Sequence, residues 1–166
     1  SDDNGRTWKS SQEVPNPAGI ITQEPGMVEL KNGDILMFIR TSAGAQYFSR
    51  STDKGVTWSE IKRSNITSPT SPASIARIPS TGDLLLVWNN TLNEKRTPLN
   101  IAVSKDEGKT WKYIKTLEDN PDRGYCYIAI HFTGKNVLLS YCAGSQSTGI
   151  LAQTDIKRLS LKWVYK

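Results

Sequence analysis

Three stretches of this chain alternate between apolar and polar residues on both sides of a glycine. They cover residues 27–38, 74–88 and 127–141. Alternation places every second side chain on one face of a strand, and a glycine between two such runs is typical of a tight turn. The pattern therefore predicts three β-hairpins, with turn glycines at Gly33, Gly82 and Gly134.

A second pattern, S-x-D-x-G-x-T-W, occurs three times in step with the hairpins. Its copies start 50 and 53 residues apart, at residues 1–8, 51–58 and 104–111. The aspartate can accept hydrogen bonds from turn amides, and the glycine supplies the positive φ of a tight turn. We expect the tryptophans to begin returning strands and to be largely buried as structural residues. They are Trp8, Trp58 and Trp111.

Together the two repeats describe a four-stranded unit of about 50 residues. Each unit holds the glycine-turn hairpin, a third strand, the eight-residue turn pattern and a fourth strand. Short antiparallel strands repeated in this way are typical of β-propeller blades. The chain is therefore predicted to be all-β, almost without helix, and to begin with the last strand of an earlier blade. The predicted blades lie near residues 24–64, 72–118 and 125–166.

The eight-residue pattern resembles the Asp box of sialidases (neuraminidases) and their relatives with BNR repeats. The resemblance implies a six-bladed propeller of the sialidase type, of which this chain holds about three four-stranded antiparallel blades. A complete ring needs about twice the 166 residues present. We therefore interpret residues 1–166 as the C-terminal part of one propeller domain, with the Asp boxes outside the active site.

Composition argues against several other classes of protein. The net charge of +5 comes from scattered basic residues, which indicates a solvated surface rather than a nucleic-acid site. No apolar run reaches membrane-spanning length, no His/Cys cluster has metal-ligand spacing, and no cofactor is implied. Cys126 and Cys142 lie on opposite arms of the third hairpin and are expected to be free thiols.

The first candidate site is the segment of residues 23–30, QEPGMVEL, together with Arg40. In a propeller the first strand of each blade lines the central axis, where ligands bind. Sialidases have a similar segment, with an arginine 16 residues after a glutamate, which is the separation of Glu24 and Arg40 here. The resemblance implies that Glu24 activates the nucleophile and that Arg40 is one of three arginines that bind the substrate carboxylate. The Pro25-Gly26 pair departs from the family pattern.

The second candidate is Arg96. In sialidases the third arginine of the carboxylate clamp lies a few residues before the strand that leads into an Asp box. Arg96 lies eight residues before Ser104 and fits that description. The alternative is an ordinary surface charge beside Glu94 and Lys95.

The third candidate is a pair of tyrosines. Sialidases carry their nucleophile in a Tyr-Ser-x-Leu segment at the start of an inner strand, and residues 125–128, YCYI, match with Cys for Ser. Tyr125 and Glu24 each lie nine residues before the turn glycine of their hairpin, which predicts equivalent places on their blades. A second alignment begins at Tyr127. Because the two tyrosines share a strand face, both remain candidates, and the alternative is that both simply pack against neighbouring strands.

The resemblance implies a retaining exo-α-sialidase with a tyrosine nucleophile, a glutamate base and an arginine clamp, acting on a sialoside. Two alternatives stay open: a propeller hydrolase acting on another sugar, and a carbohydrate-binding BNR-repeat protein without catalytic activity. The family's acid/base aspartate and first arginine lie in the N-terminal half of the propeller. We therefore expect an incomplete catalyst that pairs with that half or with a second copy of itself, without a nucleic-acid partner or membrane span. The location stays open, with a secreted or periplasmic protein favoured.

Overall fold

The computed structural model describes residues 1–166 as eleven β-strands and one short helix. The strands are β1 Thr22–Glu29, β2 Ile35–Thr41, β3 Ala45–Ser51, β4 Lys62–Thr67, β5 Ser74–Arg77, β6 Leu84–Trp88, β7 Leu99–Ser104, β8 Lys112–Glu118, β9 Cys126–Thr133, β10 Asn136–Cys142 and β11 Thr154–Ser160. Helix α1, Leu161–Val164, follows β11 directly. The prediction of an all-β chain almost without helix is confirmed.

The strands form three antiparallel sheets in chain order. The first sheet has the order β1-β2-β3-β4, the second β5-β6-β7-β8, and the third β11-β10-β9. These sheets match the predicted blades, except that the third has three strands where four were predicted. The chain after β11 turns into α1 instead, where the side chain of Ser160 caps the helix by accepting a hydrogen bond from the Trp163 amide.

The Asp boxes form the turns that their sequence predicts. In the second box the Ser51 hydroxyl accepts a hydrogen bond from the Gly55 amide at 2.8 Å. Asp53 accepts one from the Thr57 hydroxyl at 2.5 Å and one from the Thr57 amide at 2.9 Å. These bonds, the hydroxyl's first, lower the pKa of Asp53 to about 2. Gly55 has a φ of +89°, which is the conformation that the turn requires of a glycine.

Two predictions for the first residues are wrong. Residues 9–21 contain no strand, although the sequence predicted the last strand of an earlier blade at the start of the chain. Trp8 was predicted to be largely buried, but it is 78% exposed because no sheet forms beside it. Trp58 and Trp111 are half-buried, and they pack against hydrophobic clusters of the first and second sheets.

The sheets pack face to face through two main hydrophobic clusters. The larger one joins the second and third sheets, and the smaller one joins the first and second. The first strands of the sheets lie side by side, because β1 contacts β5 and β5 contacts β9. Successive blades therefore bring β1, β5 and β9 together, and this is where the candidate site residues lie.

Candidate active site

A β-bulge near the start of β1 places Glu24. Two residues, Glu24 and Pro25, lie where the partner strand β2 has only Ile39. Glu24 adopts a φ of +46°, which is uncommon for a residue with a side chain. Bulges turn a side chain away from the regular alternation of a strand and are frequent next to active sites.

Strand β9 contains the same bulge. Tyr127 and Ile128 lie where the partner strand β10 has only Tyr141, and Tyr127 adopts a φ of +56°. Glu24 and Tyr127 are therefore structural equivalents on the first and third sheets.

The hairpin turns explain why counting from the turn glycines pointed to Tyr125 instead. Five residues, 30–34, connect β1 to β2, whereas only Gly134 and Lys135 connect β9 to β10. The residue nine positions before the turn glycine is therefore Glu24, in the bulge, in the first hairpin, but Tyr125, two residues before Tyr127, in the third.

Glu24 is hydrogen-bonded through both of its carboxylate oxygens. The Tyr127 hydroxyl donates to Oε1 at 2.9 Å, and Nη1 of Arg40 donates to Oε2 at 2.7 Å. The Arg40 side chain is only 12% exposed, whereas that of Glu24 is 41% exposed. The site is thus a chain of phenol, carboxylate and guanidinium that is anchored at the arginine and open to solvent at the tyrosine.

Arg96 joins this group from the loop between β6 and β7. Its guanidinium carbon lies 5.8 Å from the centre of the Tyr127 ring, within the range of a cation–π contact. Its Nη2 also donates to the carbonyl oxygen of Thr70 at 3.5 Å. Thr70 has no signal in the sequence, because a backbone acceptor imposes no residue type that a pattern could reveal.

Tyr125 lies apart from this group. It is 2% exposed, and its ring makes an edge-to-face contact with Tyr141, with the ring centres 6.1 Å apart. Burial raises the pKa of the Tyr125 hydroxyl. The structure therefore brings Glu24, Arg40, Arg96 and Tyr127 together and leaves Tyr125 in the core between the second and third sheets.

Opposing influences act on the pKa of Glu24. Partial burial raises it, but the hydrogen bonds from Arg40 and Tyr127, with the positive charges of Arg40 and Arg96, outweigh burial and lower the pKa below that of an ordinary glutamate. The carboxylate therefore stays ionised at the pH where an ordinary glutamate begins to protonate. An ionised carboxylate that already accepts the phenol's hydrogen bond has the geometry of a general base.

Packing explains the glycine at residue 26, where the sequence departs from the family pattern. A Cβ atom at Gly26 would lie 2.2 Å from the ring of Phe38, which is 5% exposed in the core. The ring occupies the space that a side chain at residue 26 would need, so the glycine allows β1 to approach β2 next to the bulge.

Gly26→Ala should therefore destabilise the protein by about 1–3 kcal/mol, the usual cost of overpacking a core. Chemical denaturation monitored by tryptophan fluorescence would measure the loss. The double variant Gly26→Ala/Phe38→Leu should recover part of it, because the smaller side chain relieves the clash. An unchanged denaturation midpoint for Gly26→Ala would contradict this explanation.

A groove of about 520 Å³ runs beside Glu24 and Tyr127. Its walls come from β1, β5, β9 and the segment before β5, and they are mostly apolar. Ser74, whose hydroxyl donates to the Ile128 carbonyl oxygen at 2.6 Å, ties two of these walls together. The groove is large enough for a small ligand, and the hydrogen-bonded side chains of Glu24 and Tyr127 lie at its wall.

Three further features concern metal ions, membranes and the cysteines. No cluster of three or more His, Cys, Asp or Glu side chains is arranged to hold a metal ion. No helix of this chain is long and apolar enough to cross a bilayer. Cys126 and Cys142 face each other across β9 and β10 as free thiols.

Comparisons with known proteins agree with this architecture. Residues 1–139 match the family of the BNR repeat-like domain. A sialidase from Vibrio cholerae is 35% identical over 142 residues, a match that covers 68% of this chain and 18% of that protein. The chain thus spans less than a fifth of the length of this relative.

Solved structures show the same fold. The NanB sialidase from Streptococcus pneumoniae superimposes with a TM-score of 0.74 at 26% identity, over 98% of this chain and 27% of that one. A leech intramolecular trans-sialidase superimposes with a TM-score of 0.76 at 23% identity, over 99% of this chain and 27% of that one. With a family match over most of its length and a partial propeller of the same form, the chain belongs to the sialidase/BNR repeat family.

Proposed function

We propose that this chain forms part of the active site of a retaining exo-α-sialidase. The observation that carries the proposal is the hydrogen-bonded chain from the Tyr127 hydroxyl through the Glu24 carboxylate to the Arg40 guanidinium. In this proposal Tyr127 is the nucleophile and Glu24 is its base. Arg40 and Arg96 bind the carboxylate of the substrate.

In the first step the Tyr127 oxygen forms a bond to the anomeric carbon of the sugar while the bond to the leaving group breaks. The phenol proton passes to Oε1 of Glu24, along the 2.9 Å hydrogen bond that already joins them. The departing oxygen receives its proton from an acid that is not among these residues. In the second step water attacks the anomeric carbon and gives a proton back to the conjugate base of that acid. The bond to the tyrosine oxygen breaks and this oxygen regains its proton from Glu24, so two successive displacements retain the configuration at the anomeric carbon.

The charge of the substrate favours a phenol as nucleophile. The anomeric carbon of a sialoside carries a carboxylate, so an anionic glutamate attacking it would meet electrostatic repulsion. A neutral tyrosine approaches with less repulsion and becomes nucleophilic only as Glu24 removes its proton.

The arginines have the donors that carboxylate binding requires. Arg40 uses Nη1 to bond Glu24, and its buried Nε has no hydrogen-bond partner in the protein. Arg96 is half-buried and faces the Tyr127 ring. Guanidinium groups match a carboxylate with two parallel hydrogen bonds, and such a clamp would hold the substrate at a fixed distance from the phenol.

The three sheets would form half of the six-bladed ring that the resemblance to sialidases implies. We propose that further blades complete it, either from the rest of the same protein or from a second copy, and that blades from the rest of the protein provide the acid. Ile156, 75% exposed on β11, belongs to the face that a following blade would cover.

A substrate comparison tests the proposed function. The complete enzyme, with the further blades in place, should cleave an aryl α-sialoside with a kcat/KM at least about 10³-fold above that for an aryl glycoside of a neutral sugar, because a site built to pair a charged group rejects analogues without it. Equal cleavage of the neutral glycoside would favour a hydrolase for another sugar. Binding of the sialoside without cleavage would favour the carbohydrate-binding alternative.

A further inference from the structure

A fully buried asparagine holds the backbone of Arg96. Asn89 follows the end of β6 and is 0% exposed. Its Nδ2 donates to the carbonyl oxygen of Arg96 at 2.8 Å and to that of Pro98 at 3.0 Å. The amide group of Asn89 thus closes the base of the loop that carries the Arg96 guanidinium.

The other end of the Asn89 side chain is fixed by the segment that connects the first sheet to the second. Its Oδ1 accepts a hydrogen bond from the Ser71 hydroxyl at 2.7 Å. The Ser71 carbonyl oxygen accepts one from Nε2 of Gln46 at 2.8 Å, and the same nitrogen donates to the Ser68 hydroxyl at 2.9 Å. All four side chains are at most 1% exposed, so water does not compete for these bonds.

The third sheet is attached to the same carbonyl group. The Tyr125 amide donates to the Arg96 carbonyl oxygen at 2.9 Å, and Tyr125 lies two residues before Tyr127. Arg96 itself has a φ of +57°, a conformation that costs free energy unless its surroundings maintain it. One oxygen atom therefore joins the arginine loop, the start of the tyrosine strand and the buried Asn89.

We propose that Asn89 is a positioning residue for this site, an inference that rests on the proposed function. By fixing the Arg96 carbonyl, Asn89 sets the position of the Arg96 guanidinium relative to the Tyr127 hydroxyl. Only a side-chain amide can donate to two carbonyl groups and accept from Ser71 at once. Gln46 and Ser71 extend this support to the first sheet, which carries Glu24 and Arg40.

Kinetics distinguish positioning from a general loss of stability. Asn89→Ala should lower kcat/KM for an aryl α-sialoside about 10–100-fold, as expected when reacting groups are displaced by about an ångström. In the Arg96→Ala background the same change should have less than about a threefold further effect, since it acts through that arginine. If the Asn89→Ala and Arg96→Ala changes instead multiplied their effects on kcat/KM, the proposal would be overturned.

Ser104→Ala is the matched control. Ser104 is also buried, and its hydroxyl accepts from the Gly108 amide at 2.8 Å, at the opposite end of the blade from Asn89. Assayed at a temperature where both variants are folded, Ser104→Ala should change kcat/KM by less than about a factor of two. An equal loss in both variants would identify Asn89 as a stability residue only.

Amide hydrogen exchange gives a readout that needs no substrate. Asn89→Ala should speed exchange of the Tyr125 amide by at least about tenfold and leave that of Gly108 unchanged, while Ser104→Ala should do the reverse. Unchanged Tyr125 exchange in Asn89→Ala would overturn the proposal. If the parent protein cleaved no sialoside, the proposed function would fail. Hydrogen exchange would still decide whether Asn89 fixes the Arg96 carbonyl group to which the Tyr125 amide is bonded.

Ser71→Ala covers the case in which Asn89→Ala does not fold. It removes only the bond to Asn89 Oδ1 and should shift kcat/KM and Tyr125 exchange in the same direction by a smaller factor. If Ser71→Ala kept the kcat/KM and the Tyr125 amide exchange rate of the parent protein, the proposal would be contradicted.

Discussion

Tyr127→Phe should lower kcat on a sialoside by at least about 10³-fold, because the variant has no oxygen to form the covalent intermediate. The phenylalanine ring keeps the contact with the Arg96 guanidinium, which lies 5.8 Å from the ring centre. The fold should therefore be preserved, and the loss should appear in kcat rather than in the amount of folded protein.

Tyr125→Phe is the matched control for that result. It removes the same atom from the tyrosine two residues earlier, which is buried against Tyr141 and lies apart from Glu24. Steady-state kinetics should give a kcat close to the parent value. If Tyr125→Phe lost activity and Tyr127→Phe kept it, the roles of the two tyrosines would be reversed.

Glu24→Gln should lower kcat by about 10²–10⁴-fold, the usual contribution of a general base. The amide keeps the shape of the side chain but cannot take the phenol proton. Because Glu24 and Tyr127 act as one unit through their 2.9 Å hydrogen bond, the double variant Glu24→Gln/Tyr127→Phe should be little worse than Tyr127→Phe alone.

The control for Glu24→Gln is Glu29→Gln, at the other end of the same strand. Its kcat should match that of the parent. Comparable losses in the two glutamate variants would show that the charge of the strand, and not a base at residue 24, is responsible.

Much of the fold could be predicted because its signals are local. An Asp box forms its turn from hydrogen bonds within eight residues, as in Ser51 to Trp58, and the glycine hairpins are equally short-range. Repetition of both signals at about 50 residues then defined the sheets. The missing strand at residues 9–21 and the exposed Trp8 have a different cause, since a strand and a buried ring need neighbours that a local pattern does not reveal.

The site was less predictable because it depends on the pairing register of the strands. Period-two alternation gives Tyr125 and Tyr127 the same face, but the bulge in β9 separates them, and only strand pairing reveals a bulge. The different lengths of the hairpin loops also misled the count from the turn glycines. Asn89 left no distinctive signal, because its role depends on carbonyl groups of residues seven and nine positions later in the chain.

Trapping the covalent intermediate tests the central claim most directly. A fluorosialyl fluoride with a second fluorine beside the anomeric carbon should form the glycosyl-enzyme but hydrolyse slowly, because the extra fluorine destabilises both oxocarbenium-like transition states. Peptide mass spectrometry should then find one sugar adduct, on the Tyr127 side chain. An adduct on Tyr125 or Glu24, or turnover of an aryl sialoside by protein that never forms an adduct, would contradict the account.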